Sequence, residues 1–357
     1  MNTQKPKKQN QNTISAVNNV DYKPRVLHTG TAFSGIGAVE EALKNLNIAH
    51  INEYMVEIDK YARATYTANH AVNNVFEDIT QLDYENLAET DIYVGGSPCQ
   101  TFSTQGKRGG FEDTRGTLFF NGAQIIKHTR PKYFLFENVK GMVSHDKGNT
   151  FKIVKATFEE LGYKISWKVL NAKHYGAAQN RERLFVIGIR NDIKQEFIFP
   201  EPQRVSNCVN NYIEEGADFS KYLFDSSLME PFTPKVSTDI HKVGVFPHLK
   251  FEYDKKVISS TGISPCFLAG NTKIKFHDQK NNLFRYLTEN EMKQIQGFNK
   301  NFKFPVSNSQ ARKQIGNSMY VGVIEAILKN LIPKVYFLDN DAIVADSTNN
   351  STFKIGA

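Results

Sequence analysis

Cys99 stands in Gly95-Gly-Ser-Pro-Cys-Gln100, at the end of the apolar run Asp91-Ile-Tyr-Val94. A second polar signature, Glu137-Asn-Val139, follows the apolar run Tyr133-Phe-Leu-Phe136. A strand ending in a tight turn that carries a thiol, beside a strand ending in a carboxylate, is how an α/β enzyme places a nucleophile and an acid at one sheet edge. A cysteine taken alone is ordinarily a small buried hydrophobe. It is the company of further motifs that makes this one a candidate nucleophile. Gln179-Asn-Arg-Glu-Arg183 sets two guanidiniums two residues apart on the approach to a strand, so both can face one pocket. Gln100 to Gly110 carries Ser103, Lys107 and Arg108 among glycines, with Asp113-Thr-Arg115 at its far end. Such a basic loop is able to close over a substrate and grip phosphates. An ordinary solvated loop is the alternative.

A ligand-binding pattern precedes these residues. Phe33-Ser-Gly-Ile-Gly37 follows the first apolar run and opens a helix, where free N–H groups and small residues let backbone approach a ligand. The full G-x-G-x-x-G dinucleotide pattern is absent, because Glu40 occupies its last position. Glu57, at the end of the second strand, fits a carboxylate that grips ribose hydroxyls. Asp78, in Glu77-Asp-Ile-Thr80, is placed to meet an adenine amine. Each alone reads equally as a turn or a solvated acidic face. In order, each after a βα unit, they point to an adenosine-containing ligand.

The elements that must position these residues are legible in coarse form. Arg25–His28, Ile51–Val56, Asp91–Val94, Tyr133–Phe136, Lys164–Leu170 and Leu184–Ile189 read as strands. Val39–Leu46 and Lys60–His70 read as helices. The alternation predicts an α/β fold with a doubly wound, mostly parallel sheet. After Phe199-Pro-Glu-Pro202 the texture changes, and residues 203–285 carry short irregular β-like pieces with no clear helix. Leu287–Gly297 reads as a helix with Thr288 as N-cap and Glu291 completing a capping box. Gln310–Leu331 reads as helix interrupted by Gly316 and Gly322. The expected organisation is a disordered tail over 1–23, a catalytic domain over 24–200 plus 310–335, a smaller β-rich recognition domain over 201–309, and a weakly structured tail over 338–357.

Bulk properties narrow the class. The chain has 357 residues, 40% of them hydrophobic, and a formal charge of +7. Residues 1–25 carry Lys5, Lys7, Lys8, Lys23 and Arg25 against the single acid Asp21, so more than half of the excess charge belongs to the tail. Local patches therefore say more about an anionic partner than the total does. No apolar stretch approaches the roughly 18 residues of a membrane span, and the polar start reads against a signal peptide. Three cysteines (Cys99, Cys208, Cys266) without a Cys-x-x-Cys pair argue against a disulfide framework or a zinc site. No metal is expected, and a reducing cytoplasm is the expected location.

Taken together, the motifs resemble those of the DNA (cytosine-5) methyltransferases of the bacterial restriction–modification type. Phe33-Ser-Gly-Ile-Gly37, Gly96-Ser-Pro-Cys-Gln100, Glu137-Asn-Val139, Gln179-Asn-Arg-Glu-Arg183, Gln296-Gly-Phe298 and Gly316-Asn-Ser318 occur in the family's order and span residues 25–330. The resemblance implies S-adenosylmethionine as the adenosine ligand, with Phe33, Gly35, Ile36, Gly37, Glu57, Ile58, Asp78, Ile79, Ser97, Asn317 and Ser318 around it. It implies Cys99 as a thiolate that adds to cytosine C6, Glu137 at N3 and the amino group, Arg183 at O2, and Arg181 supporting Glu137 or the catalytic loop. Double-stranded DNA would be held by Gln100, Ser103, Lys107, Arg108, Thr261, Gly262, Cys266 and Phe267, with the target base swung out of the stack. Residues 241–285 carry lysines among Ser, Thr and Asn and are the expected sequence reader, or else an electrostatic anchor.

The chain departs from the family's pattern in places. Thr31 stands where Asp is common and Ala38 where Gly is, at positions whose ligand contacts are mainly backbone. Asn290 and Gln294 replace two usual arginines, and Cys266-Phe267 replaces a Thr-Leu pair, which leaves base preference open. Cys208 and Cys266 have no acid or base signature nearby and read as structural. The enzyme is expected to act as a monomer, any cognate endonuclease being a separate chain. RNA methylation by the same chemistry, a silent DNA-binding regulator and a Rossmann dehydrogenase are the rival readings. The intact Cys99, Glu137 and Arg183 argue against the regulator, and the missing third glycine argues against the dehydrogenase.

Overall fold

The computed structural model describes residues 24–97, 118–203, 207–231, 239–269 and 273–338. Cys99, Gln100, Ser103, Lys107 and Arg108, the tail 1–23 and residues 339–357 lie outside the described residues. In chain order the first part contains β1 (Leu27–Ala32), α1 (Ala38–Asn45), β2 (His50–Val56), α2 (Lys60–Thr67), β3 (Asn74–Phe76) and β4 (Ile92–Gly95). It continues through α3 (Leu118–Thr129), β5 (Tyr133–Val139), α4 (Asn149–Glu160), β6 (Tyr163–Asn171) and β7 (Glu182–Arg190). These seven strands form one sheet in the order β3-β2-β1-β4-β5-β7-β6. Neighbours from β3 to β5 are parallel, and β7 runs antiparallel to both β5 and β6.

Period-two alternation fills the two faces of this sheet. Ile92, Val94, Leu135 and Ile187 point to a core closed by Val39 and Leu43 of α1. Val321, Ile324 and Leu328 of the last helix, α8 (Val321–Leu331), complete that layer. Tyr93, Phe134, Phe136 and Val186 point the other way, onto Phe119 and Ile126 of α3 and Val154 and Phe158 of α4. Helix α8 therefore packs on α1 and shares a core with Leu27 of β1.

The remaining elements are β8 (Glu230–Pro231), β9 (Lys242–Val245), α5 (Glu252–Lys255), β10 (Lys256–Ser259), β11 (Lys275–Asp278), β12 (Leu283–Tyr286), α6 (Glu289–Ile295) and α7 (Asn308–Asn317). Strands β8 to β12 build a second, five-stranded sheet in the order β12-β11-β10-β9-β8. Its core of Ile258, Phe267, Phe276, Leu287 and Met292 also takes in Ala178 and Ile315. The capping box at α6 forms as expected, with Thr288 and Glu291 reciprocally bonded.

Three corrections to the sequence reading follow from packing. The span read as interrupted by Gly316 and Gly322 is two helices that part at Ser318–Tyr320. Gly316 lies within α7, and glycine is needed there because a Cβ would sit 2.6 Å from the Leu268 carbonyl carbon. Glu137 lies inside β5, not after it. The sequence reading does not include helices α3 and α4: α3 carries a glycine at Gly122 and a polar face of Asn121, Gln124, Lys127 and His128, and α4 opens on Gly148 in the left-handed region with no side-chain cap.

One buried ionic group holds the second sheet to α6. Arg285 is fully buried between the rings of Phe219 and Phe276, its guanidinium carbon 3.8 and 4.6 Å from their centres. It donates to Asp278 at 2.8 Å and to Glu291 at 2.6 and 2.8 Å, all three side chains being inaccessible. Arg285→Ala would strand two buried carboxylates, and is expected to cost about 3–5 kcal/mol of stability. Urea denaturation measures it, and a loss under about 1 kcal/mol would show that the pair is solvated or protonated instead.

Candidate active site

The ends of β1 to β4 lie along one edge of the sheet, on both sides of the point where strand order reverses between β1 and β4. The turn from β1 into α1 uses left-handed backbone at Phe33 (φ 53°), Gly35 (φ 58°) and Gly37 (φ 88°). At Gly37 a Cβ would lie 2.4 Å from the His70 ring, so only glycine fits, while the space beside Gly35 is open. Glu57 braces this loop: its two oxygens accept the Gly35 and Asp59 N–H groups, each at 2.9 Å. A carboxylate has about four acceptor sites, so two remain for a ligand. Asp59 caps α2 and pairs with Lys313 of α7 at 2.7 Å, which draws the α7 end, with Asn317 exposed and Ser318 buried, toward the same edge.

Beside Glu57, Ile58 is 70% exposed. Asp78 spends one oxygen on the Thr80 N–H and hydroxyl, and these bonds hold its carboxyl below the usual range. The Ser97 hydroxyl is buried without a partner. A narrow cleft joins Phe33, Gly96 and Ser97 on the strand ends to Leu118 and Phe119 of α3. An open glycine cradle, two carboxylates with spare acceptors, an exposed apolar side chain and an orphaned hydroxyl fit an adenosine-type ligand. Ile36 and Ile79 send their side chains into the cores, so they offer a ligand only backbone.

Glu137 and Arg183 meet across β5 and β7. Val139 pairs with Arg183 and Glu137 with Phe185, which places Glu137 and Arg183 as diagonal neighbours on one face. Arg183 Nε lies 3.2 Å from Glu137 Oε1. Burial pushes the Glu137 carboxyl up; the charges of Arg183 and then Arg181 oppose that without cancelling it. The adjacent Asn138 is a site residue to which the sequence reading gave no role. Its amide donates 2.7 Å to the Ser97 carbonyl and so fixes the start of the Ser-Pro-Cys segment. A buried asparagine inside an apolar strand was the available signal. Gly96 is required as well, since a Cβ there would meet the Glu137 carbonyl at 2.5 Å.

Arg181 makes no hydrogen bond to Glu137. It is 3% exposed, and its guanidinium donates to Phe267 O (3.2 Å), Gly316 O (3.1 Å), Ser318 O (2.6 Å) and Cys266 Sγ (3.3 Å). Gln179, Gln296 and Ser318 join the same node through bonds of 2.9 and 2.8 Å. Cys266 is therefore beside two cations and not in a neutral setting, since Arg183 Nη2 is 3.7 Å from its sulfur. Phe267 is fully buried in the second core, so its ring does not reach DNA. Gly262 is also buried, where a Cβ would meet His241 N at 2.7 Å, and its N–H closes a turn on the Ser259 carbonyl at 3.2 Å. Thr261 is exposed, with its hydroxyl 3.0 Å from His241 Nδ1. Cys208 caps a short turn through Asn211, in keeping with a structural role.

Among the described residues no acidic, histidine or cysteine group is placed to hold a metal, and no helix is long and apolar enough to cross a membrane. The family profile described as C-5 cytosine-specific DNA methylase matches residues 29–333. The chain is 37% identical over 303 residues to type II methyltransferase M1.ScrFI of Lactococcus lactis subsp. cremoris, covering 84% of this chain and 76% of that one. It is 38% identical over 297 residues to M.NgoBI of Neisseria gonorrhoeae, covering 83% and 90%. In fold it is similar to DNMT2 of Spodoptera frugiperda, with a TM-score of 0.67, 21% identity and coverage of 86% and 100%. The Dnmt2 methyltransferase of S. pombe gives a TM-score of 0.65 at 18% identity, with coverage of 87% and 100%.

Behind the β1–α1 turn, Glu40 is buried and accepts the Tyr66 hydroxyl at 2.7 Å. Burial pushes its carboxyl from its ordinary 4.5 up to about 7. The neighbouring His70 ring is pushed down to about 3 by burial and stays neutral. A raised carboxyl stabilises the fold while protonated, so this contribution is complete below pH 4.5 and is lost as pH rises toward 7. Glu40→Gln is expected to remove that slope, gaining roughly 3 kcal/mol on wild type between pH 4.5 and 7. Urea midpoints measured across that range check it. Parallel curves for the two proteins would mean that Glu40 is ionised in the fold.

Proposed function

The chain belongs to the C-5 cytosine-specific DNA methylase family and is a DNA (cytosine-5)-methyltransferase; from that premise we propose that it methylates C5 of a flipped-out cytosine in double-stranded DNA through a covalent bond from Cys99 to C6. The observation that carries the reading is the Glu137–Arg183 pair, on the sheet edge where β4 leads into Ser97-Pro-Cys99. When bound, S-adenosylmethionine supplies an electrophilic methyl group on a sulfonium. Glu57 and Asp78 would hold its ribose hydroxyls and adenine amine with the acceptor sites left free, and the exposed Ile58 beside Glu57 would offer it apolar surface. The type II methyltransferase names of the relatives support a setting in which methylation protects host DNA from a separate endonuclease.

In this mechanism the chain's residues divide the work. Cytosine C5 is a weak nucleophile. Bond formation between the Cys99 thiolate and C6 moves the C5–C6 π electrons toward C4 and N3, and makes C5 able to attack a methyl group. Glu137, whose carboxyl burial pushes up, donates to N3 as negative charge builds there. Arg183 faces O2 and stabilises the same charge. Loss of the C5 proton then re-forms the double bond and expels the thiolate. Flipping is required because neither face of the C5–C6 bond is reachable inside a duplex.

Two substitutions test the chemistry and the ligand separately. Cys99→Ser is expected to abolish methyl transfer while DNA and cofactor binding persist, because an alcohol is a far weaker nucleophile than a thiolate at neutral pH. Only the wild type should form a denaturation-resistant complex with DNA carrying 5-fluorocytosine, and near-normal turnover by the serine variant refutes the mechanism. Glu57→Ala should weaken S-adenosylmethionine binding by roughly 1–3 kcal/mol in calorimetry. An unchanged dissociation constant would place the cofactor elsewhere. Bisulfite sequencing of DNA from cells expressing the chain reads out the activity and the methylated sequence together.

A further inference from the structure

Cys266 lies outside both the nucleophile loop and the cofactor edge, yet its sulfur touches the two arginines of the Gln179–Arg183 motif. The Arg183 guanidinium has one partner for each of its three nitrogens. Nε faces Glu137 at 3.2 Å, Nη1 donates to the Glu182 carbonyl at 2.8 Å, and Nη2 approaches Cys266 Sγ at 3.7 Å. Of these, Glu137 is reserved for the base in the proposed chemistry and the Glu182 carbonyl belongs to the same strand. Among the described residues, the sulfur is the contact that ties this cation to the β10–β11 connection.

The sulfur itself is held from several sides. Arg181, immobilised by three carbonyls, donates to it at 3.3 Å, and the thiol faces the Phe267 carbonyl at 3.5 Å. The Tyr253 hydroxyl donates to the Cys266 carbonyl at 3.0 Å. The segment before it is stitched to the chain leading into β7: Ser264 N–H donates to Ala178 O, and Asn180 N–H to Ser264 O, both at 2.8 Å. The Phe267 N–H donates to the Gln179 side chain at 3.2 Å. The thiol is thus held from several sides, and the Arg183 side chain beside it is 18% exposed.

We propose that Cys266 is a positioning residue for methyl transfer, its sulfur accepting from Arg183 and so holding that guanidinium at Glu137 and the cytosine O2 site. The inference rests on the mechanism above and deepens it. The sequence read this residue as a structural thiol within a DNA-facing pair; the contacts assign it to the catalytic arginine. A hydroxyl can take over the acceptor role from nearly the same place, whereas a methyl group cannot.

The experiment is steady-state methyl transfer to duplex DNA by Cys266→Ala, Cys266→Ser, Arg183→Lys and the Arg183→Lys/Cys266→Ala double variant, with wild type and Cys99→Ser alongside. Cys266→Ala is expected to lower kcat at least tenfold with the cofactor dissociation constant unchanged, and Cys266→Ser to remain within about threefold of wild type. In the Arg183→Lys background, Cys266→Ala should have little further effect, because its action runs through Arg183. If Cys266→Ala does not fold, Cys266→Val, which fills the volume without an acceptor, takes its place. Wild-type kcat in the Ala or Val variant, failure of Ser to rescue, or multiplicative losses in the double variant each overturn the proposal. An inactive wild type, or an active Cys99→Ser, would instead overturn the mechanism on which it rests.

Discussion

A single buried guanidinium, that of Arg181, joins most of what this enzyme needs to hold still. An isolated buried cation is costly, and the cost is offset only when its donors find acceptors. Here four donor contacts reach Phe267 and Cys266 of the β10–β11 connection and the Gly316 and Ser318 carbonyls at the end of α7. Gln179 and Gln296 extend the node, so three separate stretches of chain converge on it. Burial depresses the Arg181 pKa, yet the group remains a cation because arginine starts so far above neutrality. The two sheets are therefore fastened at the point from which the neighbouring arginine, Arg183, departs toward the reacting base.

The direction of β7 decides where that departure can happen. Were β7 parallel to β5, its first residues would lie at the opposite sheet edge. Antiparallel pairing instead sets the start of β7 against the end of β5, and Arg183 beside Glu137. The other six strands share one direction, and those from β3 to β5 deliver their ends, with the glycine turn, Glu57, Asp78 and Ser97, to that same edge. One reversed strand in an otherwise parallel arrangement thus brings a cation to a site where loops would supply mostly backbone donors and acids.

At the site itself two influences on Glu137 are held in opposition. Burial raises its affinity for a proton, and the arginines lower it. A carboxyl poised in this way suits the proton donation to cytosine N3 proposed for it. The cofactor edge follows another rule. Glu57 is satisfied by two backbone N–H groups and keeps its remaining acceptors pointed outward, so the loop is shaped before any ligand arrives.

Much of this was legible from the residues. The strand ends of β2 and β4 and the Thr288–Glu291 capping box rest on local spacing or on pattern, and each forms in the fold. What the sequence did not decide depends on partners far along the chain. Arg181 meets acceptors 85 to 137 residues away, and no local pattern distinguishes a guanidinium aimed at carbonyls from one aimed at Glu137. The side chain of Phe267 sinks into a core that exists only once β10 to β12 and α6 assemble, and Cys266 next to it turns instead toward two cations. Periodicity and capping report which residues are neighbours in a helix or strand. The reversal of β7 and the meeting of two sheets at Arg181 are products of tertiary packing, where long-range burial and hydrogen-bond satisfaction set the outcome.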